Sequence, residues 1–206
     1  MTATDMTTLF AKLEKASHTQ ILSLQSLPLL CLPWSDKYTK HELIVELVFS
    51  LRRINDRKER ISRMASLYCR LSTKNILFPW HVYRVNPCKA QLSYFALHRN
   101  IARALCVRGS PFKFVTFHSS SARYACIMLP DFTPATQHEV VCVCVWRRLN
   151  YVAVWAAQLM DPECLPSALA KVFGRNLGEI SIGSFRYMPD AYKAARRDRR
   201  MRSVAP

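Results

Sequence analysis

The spacing of apolar positions divides this chain into two stretches of different period. Up to about residue 75, apolar residues recur three or four apart, the spacing of a helix with one buried face. Leu9–Lys15 is a short amphipathic piece. His18–Leu30 is a second, with Ile21, Leu22, Leu24 and Leu27 near one stripe. Thr39–Ile54 has the clearest pattern: Leu43, Val45, Leu47, Val48 and Leu51 are apolar, and Arg52 and Arg53 suit a helix C-terminus. Asn55 or Asp56 can cap the next helix, which is expected to run to about Leu71. Along it Ile61, Met64, Ala65, Tyr68 and Leu71 recur at helical spacing, while Arg57, Lys58, Arg60, Arg63 and Arg70 crowd the other face. Short helices joined by tight loops predict a small antiparallel bundle.

From Trp80 the period changes. Pro79 and Pro87 bracket a short extended piece, Trp80–Val85. Ala90–Val107 reads as a helix, ended by Gly109–Ser110–Pro111. Phe112–Phe117 and Tyr124–Leu129 read as strands joined by a polar turn around Ser119–Ala122. Glu139–Trp146 is a near-continuous run of β-branched residues and Cys, the mark of a strand buried on both faces. Arg147–Asn150 turns it back into Tyr151–Ala156, a hairpin. Glu163–Phe173 reads as a helix covering the sheet and Ile180–Ser184 as a last strand, and Pro189 opens a basic final helix. The fold class expected is α+β: an all-helical unit over 1–76, then an α+β unit over 77–206 with a mainly antiparallel sheet covered by helices.

Charge adds a function to this outline. The 206 residues hold 30 Lys and Arg against 14 Asp and Glu, a net charge of +16 on a chain that is 50% apolar. That excess is carried by a sequence able to fold, not by a tail, so it predicts a positive surface facing a polyanion, with nucleic acid first. The alternative is a member of a larger complex whose basic face docks an acidic protein. No apolar run reaches the ~20 residues that span a bilayer, and the N-terminus lacks the pattern of a signal peptide. The chain is therefore expected to stay inside the cell and away from membranes.

No catalytic pattern emerges. The four Gly cannot build a phosphate loop, and the six His lie outside metal-ligating contexts. The eight Cys form no C-x-x-C pair, and Cys142 and Cys144 would share one strand face as core. Neither metal, cofactor nor small-molecule substrate is expected, and the chain is read as a non-enzyme. Its basic residues recur at element ends: Lys12 and Lys15, Lys37 and Lys40, Arg52 to Arg60, Arg103 and Arg108, Arg147 and Arg148, Arg186, and Lys193 to Arg202. Charges so placed can converge on one groove and grip a backbone without reading bases.

Several strings, in this order of elements, resemble the N-terminal region of the centromere protein N family. They are Ser184–Tyr187 with Asp190 and Lys193, Ile101–Leu105 followed by Phe114–Phe117, the hairpin Val140–Trp155 followed by Leu165–Phe173, and Lys40 before Leu43–Leu51, with Trp80 in the link. The resemblance covers most of Leu9–Arg197. It implies a pyrin-like (death-fold) helical domain joined to an α+β domain, acting as an inner-kinetochore adaptor on the centromeric nucleosome in the nucleus. The partners it implies are DNA, the histone variant CENP-A and a centromere protein L-like subunit, which pairs with a C-terminal region that lies beyond the resemblance. Carried over by position, Lys15, Lys40, Arg103 and Arg186 match the family's DNA contacts, with Lys37 and Arg108 near matches and Lys193 taken with them. Asp5 and Lys12 stand where the family's first helix meets the histone. The family's loop between middle strands bears lysine, whereas 131–138 here has none.

Overall fold

A computed structural model of the chain describes residues 3–26, 37–85, 94–105, 113–119, 121–129, 138–146, 149–157, 164–173 and 181–204. Among them are seven α-helices and a six-stranded sheet in which every pairing is antiparallel. The α+β class expected from the sequence is therefore the fold.

Helix α1 spans Ala3–Leu13, starting earlier than its sequence pattern predicts. Met6, Leu9 and Leu13 give it a buried stripe that its threonine-rich start hides. Helix α2, His18–Leu22, opens on a capping box in which Ser17 and Gln20 satisfy each other's backbone N–H. It is shorter than expected. Beyond Leu22 the chain tightens into a 3-10 turn, Ser23–Ser26, where the Ser23 hydroxyl donates to the Gln20 carbonyl at 2.7 Å. The rest of the predicted helix, 27–30, lies outside the described residues.

Helix α3, Lys40–Arg53, has the limits its sequence predicts, because Thr39 and Glu42 form a second capping box. Helix α4, Arg57–Thr73, is capped by Asp56, which accepts from the backbone N–H of Lys58 and Glu59. At its other end Asn75 takes φ 57°, and the Ile76 N–H returns to the Leu71 carbonyl. Asn tolerates this left-handed step, which closes the helix and buries Ile76 beside Leu71.

A link through cis Phe78–Pro79 leads into strand β1, Trp80–Arg84. Helix α5 follows at Tyr94–Leu105, then strands β2, Lys113–His118, β3, Ala122–Leu129, β4, Glu139–Trp146, and β5, Tyr151–Ala156. Helix α6, Cys164–Phe173, strand β6, Ser181–Phe185, and helix α7, Met188–Val204, complete the described order. Strand order is β2-β3-β4-β5-β1-β6, so β1 enters between β5 and the last strand. The predicted limits of α5, Ala90–Val107, extend outside the described residues on both sides.

The sheet separates two cores. Alternate residues of β4 divide between them: Val141, Val143 and Val145 face α5 and α6, while Val140, Cys142, Cys144 and Trp146 face the other way. That second face is shared by the N-terminal helices and α7. Leu9, Leu47, Met64 and Tyr68 lie in one continuous cluster with Cys126, Trp155, Trp80 and Ala191. Helix α4 packs on β2, β3 and β4, and α7 packs on β6 and β1. A seam thus runs between the N-terminal helices and the start of α7, over β5 and the entry to β1.

Candidate nucleic-acid interface

Three cations meet in that seam, each over an aromatic ring. The Lys12 ammonium lies 5.3 Å from the centre of the Trp155 ring. Lys15 and Arg186 lie 5.7 and 5.5 Å from the centre of one ring, Phe78. Arg186 is also 5.4 Å from Tyr187, an exposed ring. A cation within about 6 Å of a ring face is attracted by the ring quadrupole.

The rings are fixed from below. Trp155 is buried on β5, stacks on Tyr68 of α4 at 6.0 Å, and donates its indole N–H to the Phe78 carbonyl at 3.2 Å. The link that carries Phe78 is thereby tied to the sheet. Lys15 and Arg186 are exposed and Lys12 half-buried. Burial, and then the charge of Lys15, hold the Lys12 ammonium below its ordinary pKa. Among the described residues no carboxylate pairs with any of the three. The cluster is a positive surface with no counter-anion among the described residues.

Lys40 borders it. Its ammonium donates to the Glu14 carbonyl at 2.8 Å and stands 3.4 Å from the Glu14 carboxylate. His41 reaches the same carboxylate at 3.2 Å. Those hydrogen bonds, His41 first, hold the Glu14 carboxyl below its usual range. Lys37 is exposed just before α3. Lys193 lies on α7, 3.5 Å from Asp190, at the rim of a groove of about 570 Å³ between α7 and β6.

Helix α7 carries six Lys and Arg against two Asp. Asp198 fastens it. Its carboxylate accepts from Arg84 Nε and Nη2 at 2.7 and 2.9 Å and from the Tyr151 hydroxyl at 2.7 Å, with Arg202 at 3.5 Å. Donation from Arg84 holds the Asp198 carboxyl below the ordinary range despite partial burial. Burial, and then the bond to Asp198, push the Tyr151 phenol up to about 12, so it remains a donor at neutral pH.

The structure places the other sequence candidates differently. Asp5 is not a surface group: it is 2% exposed, and its oxygens accept from the His138 backbone N–H at 2.7 Å and meet His138 Nδ1 at 3.0 Å. It joins α1 to the start of β4 and is not available to a histone. Arg103 is exposed on α5, whose apolar residues Leu97, Ile101 and Leu105 pack on the opposite face of the sheet from Lys15 and Arg186. It does not join their seam. Arg108 lies outside the described residues. Conversely, the sequence reading passed over Phe78, Trp155 and Tyr187 as ligand platforms. The string Phe78-Pro79-Trp80, aromatic residues inside a link, was the available signal.

The cysteines among the described residues pack in or against the cores. Cys69, Cys126, Cys142 and Cys144 are buried free thiols, and burial pushes Cys69, Cys142 and Cys144 well above the ordinary thiol range. Among the described residues no group of three His, Cys, Asp or Glu could hold a metal, and no helix is long and apolar enough to cross a membrane. No protein-family model and no curated protein matches this chain.

Proposed function

We propose that this protein is a non-enzymatic adaptor that binds the backbone of DNA through the seam between its N-terminal helices and α7. One observation carries the reading: Lys12, Lys15 and Arg186, drawn from opposite ends of the chain, gather on Trp155 and Phe78 with no carboxylate partner among the described residues. Like charges held together repel one another, and a polyanion relieves that repulsion. Lys40, held at Glu14 beside Lys15, borders the seam, and the basic surface of α7, Lys193 included, adds positive charge beyond it. Phosphate contacts of this kind give affinity without sequence preference.

The nucleosome as the form of that DNA, and the centromere of the nucleus as its place, rest on the resemblance to the centromere protein N family. In that reading α1–α4 are the pyrin-like unit, and a CENP-A-type histone and a centromere protein L-like subunit are partners. Lys12, half-buried on α1, is the remaining candidate toward the histone. The test is binding to nucleosomes and to matched free duplex across a salt series. Three to five neutralised phosphates give a slope of about −3 to −4.5 in log affinity against log salt. Tighter binding to the nucleosome than to the duplex is expected. A flat salt response overturns the reading.

A second reading, a scaffold docking a protein, draws on α3. Val45 and Phe49, one turn apart, are each 46% exposed, and Arg53 lies 4.3 Å from the Phe49 ring centre. If that face rather than the seam is the interface, Phe49→Glu abolishes partner capture while duplex binding stays negligible.

A further inference from the structure

We infer that Phe78 is a positioning residue of the seam: its ring holds Lys15 and Arg186 as a pair aimed at the phosphates of a DNA backbone. The inference rests on the nucleic-acid reading above. Lys15 follows α1 and Arg186 follows β6, so the two cations sit on segments far apart in the chain. The Phe78 ring is the group they share, at 5.7 and 5.5 Å from its centre. Both are long, flexible side chains, and without a platform each would lose rotamer freedom only on binding. The ring removes part of that loss beforehand.

Phe78 is itself well held. Its carbonyl accepts from the indole of Trp155, a residue 1% exposed, and it precedes β1. The order of support runs from the core through Trp155 to the Phe78 backbone, then from the Phe78 ring to the two cations. Arg186 is further constrained by Tyr187 on its other side. Phe78 carries no charge and no hydrogen-bonding side chain, so on this inference its effect on phosphate binding passes through Lys15 and Arg186.

That dependence gives the test. Full-length wild type, Phe78→Leu, Phe78→Tyr, Lys15→Gln/Arg186→Gln and the triple variant with Phe78→Leu are titrated with a short fluorescent duplex across a salt series. Each variant's melting temperature is recorded alongside. Phe78→Leu is expected to weaken binding about tenfold, from two cation–ring contacts, and Phe78→Tyr to restore it. In the Lys15→Gln/Arg186→Gln background Phe78→Leu is expected to change nothing. A loss that persists in that background overturns the inference, because Phe78 then acts directly or through the fold. Unchanged affinity of Phe78→Leu, with a steep wild-type salt slope, overturns the inference alone. A flat wild-type slope overturns the nucleic-acid reading and the inference with it. Proton NMR of the wild type is independent of how any variant folds. The side-chain methylenes of Lys15 and Arg186 nearest the charge are expected upfield through the ring current, and random-coil shifts overturn the inference.

Discussion

Replacing Asp198 by Asn separates the latch on α7 from the charge of the protein. The carboxylate takes two hydrogen bonds from Arg84 and one from Tyr151, all at 2.9 Å or less, and its side chain is 14% exposed. Asn keeps the shape but offers one acceptor oxygen and no charge. Hydrogen bonds to charged groups contribute about 1.5–3 kcal/mol each, and breaking a fully buried pair costs about 3–5 kcal/mol. Arg84, at 24% side-chain exposure, recovers some hydration, which brings the expected loss to about 2–3 kcal/mol. For a chain of this length, that lowers the melting temperature by about 5–10 °C. The sign of the pH dependence follows from the depressed carboxyl. Its contribution is present above the unfolded pKa of about 3.9 and is lost as pH falls through the folded value, so the gap between wild type and variant begins to narrow below pH ~4. The assay is thermal unfolding at pH 7 and 3.5, with duplex binding at pH 7. Asn removes one negative charge, so long-range electrostatics alone makes DNA binding tighter. Release of α7 makes it weaker, because the basic helix loses its fixed position against β1 and β6. A variant that melts with wild type and binds DNA more tightly refutes the latch.

Three other outcomes are expected. Burial holds His98 down at about pKa 4, so stability is unaffected above pH ~6.5 and falls by up to ~1.4 kcal/mol per pH unit between 6.5 and 4; His98→Phe removes that dependence, and equally steep profiles in urea unfolding would count against it. Asp5→Ala leaves the buried His138 backbone N–H and Nδ1 without their acceptor and costs about 2–3 kcal/mol, read as an earlier urea midpoint; a variant of native stability shows that the pair contributes nothing. Arg186→Ala, at an exposed residue with no carboxylate partner among the described residues, weakens duplex and nucleosome binding by about 1–2 kcal/mol at nearly unchanged melting temperature, and a large loss of stability instead makes it a structural residue.

What the sequence reveals here is what local chemistry decides. Thr39 with Glu42 and Asp56 with its following N–H groups are complete signals, so α3 and the start of α4 fall where the pattern puts them. The Val and Cys run of β4 states burial on both faces, and the strand is buried on both. Short helices are less legible. Helix α2 has five residues, too few for a period to accumulate before Ser23 bends the chain. Pairings over long separations are not legible at all. Asp5 looks like a surface acid in a threonine-rich start, and only the fold brings His138, 133 residues away, onto it. Arg103 likewise looks equivalent to Arg186 until the strand order places α5 and the β6–α7 turn on different sides of the sheet.

The same topology makes two kinds of positive charge. Those in the seam are built into the fold: a continuous core holds Trp155, Trp155 holds the backbone of Phe78, and the Phe78 and Trp155 rings hold Lys12, Lys15 and Arg186. Those along α7 are carried on one helix, whose outer half is fastened by Asp198. In the proposed DNA complex both kinds would release counterions and steepen the salt dependence of binding, since that slope counts neutralised phosphates and ignores their arrangement. Only the built charges fix where a backbone lies. Loosening α7 therefore costs affinity that added salt mimics, whereas disturbing Phe78 or Trp155 changes the pose in a way no salt concentration reproduces. On the proposed reading the helix gives DNA binding its range and the rings give it its register.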